Sequence, residues 1–183
     1  MGNYIVLTFI IILVIAALSK AKKIYHSNWN TLIDDFNFST QEFYNRLKIE
    51  FKGQGIDKIK IETTTHSEGG VLSSKREYLR LSWKEYQYDI CSAPFGKGFF
   101  ISWWLTMKQT NAEMLVSKIP FLGGWLSKKF YPITYYRMDT ASMFMSYAHQ
   151  AVMNVMDEIT KDKGVRSLTE KERSPQIRDL FSR

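Results

Sequence analysis

Residues 76–93 run Arg76-Glu77-Tyr78-Leu79-Arg80-Leu81-Ser82-Trp83-Lys84-Glu85-Tyr86-Gln87-Tyr88-Asp89-Ile90-Cys91-Ser92-Ala93. Apolar and polar positions alternate from Arg76 to Trp83 through Tyr78, Leu79 and Leu81, and alternation resumes from Tyr86 to Ala93. That is the period-two signature of half-buried strands, with Lys84-Glu85 as the tight connection. Upstream, Ile59, Ile61 and Thr63 alternate with Lys58, Lys60 and Glu62, and Ser67 to Gly70 supplies a turn. Downstream, Pro94 to Gly98 breaks the run, and Phe99 to Met107 is apolar on both faces, as a covered strand requires. The expected fold class is α+β, with an antiparallel four-stranded meander packed with two amphipathic helices.

The first helix opens with Ser39 and Glu42 in capping-box spacing, repeats Phe43, Leu47 and Phe51, and stops at Gly53 and Gly55, which predicts a helix over 40–52. The second begins at Asp139 and Thr140. Phe144, Ala148, Ala151, Val155 and Ile159 recur at three and four, and Gly164 is placed to cap the end. Residues 24–38 show no clean period and read as a connector; the charged tail from Arg166 to Arg183 reads as a short helix and a flexible end.

Ahead of this domain lies a greasy run. From Ile5 to Leu18 the only residue that is neither aliphatic nor aromatic is Thr8, and eleven positions are Ile, Val, Leu or Phe. Those eleven contribute about −3 to −7 kcal/mol on the insertion scale. The expectation is a single transmembrane helix over Tyr4–Leu18, although fifteen helical residues rise only about 22 Å against a hydrocarbon core of about 30 Å. A secretory signal lacks its basic n-region here, and an N-myristoylation pattern fails at Val6. Lys20, Lys22 and Lys23 follow the run, so the positive-inside bias places the N-terminus outside and the remaining domain in the cytoplasm. A single cysteine, Cys91, allows no internal disulfide and agrees with a reducing compartment. The expected organisation is an anchor over 1–23, a juxtamembrane connector over 24–38 and a helix with the sheet over 39–110. An aromatic and basic interfacial or re-entrant segment follows over 111–138, then the long helix and tail over 139–183.

Lysine and arginine number 25 against 18 aspartates and glutamates, a surplus that favours anionic partners. Eleven of the 27 aromatic residues fall between Phe95 and Tyr136, interleaved with cations. Nucleic-acid-binding domains share that interleaving, but a tethered domain already faces headgroups, so nucleic acid is disfavoured. The lipid bilayer and a membrane protein partner, or a second copy in a homo-oligomer, are the expected partners. The expected contact residues are Lys20, Lys22, Lys23, Lys118, Phe121, Trp125, Lys128, Lys129, Phe130 and Tyr131.

No catalytic constellation is complete. Cys91 sits mid-strand with no sequence-local group to lower its pKa, and Asp157 lies about 12 Å along the helix axis from His149, too far to orient it beside Ser146. His26, His66 and His149 carry no zinc-ligand spacing, Gly96-Lys97-Gly98 lacks the phosphate-loop pattern, and no cofactor is expected. The expected function is therefore a non-enzymatic, membrane-tethered binding or scaffold subunit. The alternatives are a structural subunit of a larger membrane assembly, docking through the helix from Asp139, and a membrane-associated enzyme using Asp89, Cys91 or His149.

Overall fold

Alternation as far as Ala93 and a continuous apolar run from Phe99 produce four consecutive antiparallel strands, β2 (Lys60–Ser67), β3 (Lys75–Trp83), β4 (Tyr86–Phe95) and β5 (Gly98–Lys108). These belong to a computed structural model that describes Thr8 and residues 23–67, 75–117 and 119–178. The same sheet takes in β1 (Lys23–Ile33) beside β5 and the two-residue β6 (Gln176–Ile177) beside β1, giving the order β2-β3-β4-β5-β1-β6. The meander is thus part of a six-stranded sheet, and the four-strand expectation is corrected.

The missing strand has a physical cause. β1 pairs Ile24 with the buried Met107 and Tyr25 with Thr106, then shifts register so that Ser27 faces Leu105 and Trp29 faces Trp103. His26 is the extra residue of that bulge. Even positions point inward before it and odd positions after it, so the period-two signal cancels over the segment. The segment read as a connector is in large part this strand, and Lys23 opens it.

α1 (Thr40–Gly53) leads from β1 to β2 at the opposite edge, so it must cross one face of the sheet. Ser39 caps it by accepting from the Glu42 amide at 3.4 Å, and Phe43, Tyr44, Leu47 and Phe51 are its buried stripe. α4 (Tyr135–Asp162) lies beside α1 and starts one turn earlier than Asp139 because Thr134 serves as cap. Its Phe144, Ala148, Ala151, Val152, Val155 and Ile159 meet Leu79, Tyr88, Ile90, Ile101, Trp103 and Leu105 from the sheet. Small alanines let the helix approach closely, and the aromatic side chains fill the space on either side. Three short helices, α2 (Asn111–Ser117), α3 (Gly123–Phe130) and α5 (Glu170–Arg173), make five among the described residues.

The single-pass anchor is corrected as well: among the described residues no helix is long and apolar enough to cross a membrane. Apart from Thr8, the run Tyr4–Leu18 lies outside the described residues, as do Lys20 and Lys22. At about 22 Å of helical rise the run is also short for a core of about 30 Å. The topology built on it, with the N-terminus outside and a cytoplasmic domain, falls with the single-pass anchor.

An aromatic ledge and a sheet-face cavity as candidate functional sites

The segment between β5 and α4 forms a ledge that is anchored at its flanks and leaves its apolar side chains out. Thr110 and Glu113 cap α2 reciprocally: the Thr110 amide donates to Glu113 Oε2 at 2.7 Å, and the Glu113 amide donates to Thr110 Oγ1 at 3.2 Å. The other oxygen of the buried Glu113 carboxylate accepts from Arg137 at 3.0 Å, and the Tyr86 hydroxyl donates to the Arg137 carbonyl at 3.0 Å. α3 abuts α2 so closely that a Cβ on Gly123 would run into the Ser117 carbonyl.

On that frame Ile119, Phe121, Leu122, Trp125, Phe130 and Tyr136 are exposed, Phe121 completely. Phe121 holds φ at +62°, in the left-handed region that costs a residue with a side chain roughly 1–2 kcal/mol. Lys128 and Lys129 are also exposed, and the Lys129 ammonium lies 4.7 Å from the centre of the Trp125 ring. Tyr131 is half-buried at the C-cap, its amide donating to the Ser127 carbonyl at 2.9 Å. Of the expected contact residues the ledge thus collects Phe121, Trp125, Lys128, Lys129, Phe130 and Tyr131. Lys118 lies outside the described residues, and Lys23 belongs to the sheet instead.

The second site is on the sheet face turned away from α1 and α4. Ladder register places Arg80 opposite both Glu62 and Asp89, and Asp89 opposite Trp104. Arg80 grips Asp89 in a fork, Nε to Oδ1 at 2.6 Å and Nη2 to Oδ2 at 2.7 Å, and His66 Nε2 lies 3.2 Å from Oδ2. The Asp89 and Arg80 side chains are only 8% and 12% exposed, so the pair is nearly desolvated. Beside it opens a cavity of about 750 Å³ whose wall includes Lys23, Tyr25, His66, Tyr78, Trp104 and Arg178. The Tyr25 and Trp104 rings meet edge to face with centroids 6.0 Å apart. Sequence reasoning missed this cluster because Asp89 and His66 stand 23 positions apart, and only register brings them together.

The remaining candidates separate. Burial is the main force raising the Cys91 thiol pKa, which opposes a nucleophilic role. His149 is occupied at both nitrogens: Trp103 Nε1 donates to Nδ1 at 3.1 Å, and Nε2 donates to the Arg173 carbonyl at 2.7 Å. Asp157 pairs with Arg173 and Ser146 is exposed, so no Ser-His-Asp arrangement forms. Among the described residues no group of three His, Cys, Asp or Glu side chains could hold a metal ion. Comparison of the chain with family models, curated proteins and solved structures returns no match.

Proposed function

We propose that this protein is a non-enzymatic binding module that docks a protein partner through the α3 ledge. One observation supports the reading above the others: seven large apolar side chains, Ile119, Phe121, Leu122, Trp125, Phe130, Tyr135 and Tyr136, are exposed in one short segment anchored at its flanks through Glu113 and Arg137. Aromatic anchors of this kind dominate the energetics of protein interfaces, and an apolar patch exposed to water is otherwise a liability. From Met114 to Met138 there is no acidic residue, while Lys128 and Lys129 flank the rings. The complementary surface is therefore an apolar groove rimmed by carboxylates, and like charge disfavours a second copy of the ledge itself.

A photo-crosslinking side chain at position 122 tests this in the full-length protein. The expected result is covalent capture of one discrete protein, lost when Phe121→Ser and Trp125→Ser are combined and weakened by Lys128→Glu with Lys129→Glu. Capture no greater than from a control position on α1, or sedimentation with anionic vesicles that the same substitutions abolish, would overturn the protein-docking reading.

A further inference from the structure

The sheet-face cavity makes no part of the ledge and calls for its own explanation. Its volume, about 750 Å³, falls within the roughly 300–1,000 Å³ of small-molecule sites. Its floor is the Arg80–Asp89 pair, in which each carboxylate oxygen already accepts from the Arg80 fork. Among the described residues no carboxylate pairs with Lys23 or with the Arg178 side chain, although both line the cavity. Arg178 is fixed at the rim by its backbone, which donates to the His26 carbonyl at 2.9 Å. Burial foremost, and then the Arg80 guanidinium, lower the Lys23 pKa against an opposing pull from Asp89, and a further negative charge entering the cavity would favour this ammonium. The third feature is aromatic surface. Trp104 and Tyr25 are 42% and 49% exposed although their neighbour Thr106 is buried, and their rings, nearly perpendicular at 77°, form an apolar corner of the cavity.

We infer that the cavity binds a small anion built on a planar aromatic body, its negative group held by Lys23 and Arg178 and its ring packed into the corner between Trp104 and Tyr25. Charge and ring recognition act together here. A compact inorganic anion would leave the rings wet, and a neutral aromatic would leave Lys23 and Arg178 without an ion-pair partner among the described residues.

Calorimetric titration of the full-length protein with indole-3-acetate, indole-3-acetamide and sodium sulfate separates these contributions. Indole-3-acetate is expected to bind about tenfold more tightly than either of the others. Lys23→Glu and Arg178→Glu are each expected to weaken it about tenfold while leaving the acetamide unchanged, and Trp104→Ala to weaken both aromatic probes. Amide chemical shifts across the sheet confirm that each variant keeps its fold and locate the bound probe. Equal affinity for acid and amide, sulfate binding as tightly as the acid, indifference to Lys23→Glu, or no shift at cavity residues at millimolar probe would overturn the inference. Phe121→Ser with Trp125→Ser should leave this binding intact, so failure of ledge docking and failure of the cavity site are told apart.

Discussion

Arg80 and Asp89 illustrate how much a single side chain can carry. Each is desolvated and each satisfies the other through two short hydrogen bonds, so removing one partner leaves a nearly buried charge with only His66 beside it. Arg80→Met is expected to cost about 3 kcal/mol in denaturant unfolding, whereas Arg80→Met combined with Asp89→Leu recovers most of that loss. A double variant as unstable as the single would show that the pair is not the source of the cost. Phe121 offers the opposite case. Because its backbone is left-handed and its ring touches solvent only, Phe121→Gly is expected to leave stability unchanged or raise it by up to about 1 kcal/mol, and yet to abolish ledge docking. A clear loss of stability would mean that the ring packs on the body.

Between β1 and the chain's end, elements too short to stand alone hold one another. α5 has four residues and β6 two, so neither is stable without tertiary partners. The capping box of Thr169 and Glu172 shapes α5, and Trp29 Nε1 donates to the Glu172 carbonyl at 2.6 Å. Arg173 bonds Asp157 through its two terminal guanidinium nitrogens, and the Arg178 amide reaches His26. Together they form a strap that closes the β1 edge and brings Arg178 to the cavity. Trp29→Phe keeps most of the ring volume but deletes the donor, and is expected to cost about 1–2 kcal/mol and to speed hydrogen exchange at the Arg178 amide before the sheet centre responds. Uniform acceleration across β3 to β5 would contradict a separately yielding strap. Elsewhere α1, α4 and strands β2 to β4 were legible because their periods run unbroken, and β5 because it is a continuous apolar run of strand length. β1 was not, since its bulge reverses phase at His26, and β6 is too short to carry a pattern.

For the molecule as a whole, pH is the variable that acts on several of these contacts at once. Burial lowers the pKa of both His26 and His149 below the usual value of about 6.5. The unfolded chain therefore takes up protons in a range where the folded chain resists them, and stability is lost as pH falls below about 6.5. Protonating His149 would also place a proton on Nδ1, where Trp103 now donates. Unfolding free energy is expected to drop by about 1 kcal/mol or more between pH 7 and pH 5, with a smaller slope in His149→Gln. A flat profile across that window would exclude both histidines as the cause. The concentration of rings and lysines between Phe95 and Tyr136 was visible by inspection, as was the excess of positive charge. Whether those rings formed core or surface was not: Phe99 and Trp103 are buried while Phe121 and Trp125 are exposed, because burial depends on which neighbours arrive from elsewhere in the chain. Sequence alone determined the α+β class, the two long helices and the strands of the meander, since each is written in a local repeat of apolar side chains. Tertiary structure alone decided the six-stranded order, the exposure of the ledge and the meeting of Asp89, Arg80 and His66, because pairing register joins residues whose separation along the chain leaves no periodic trace.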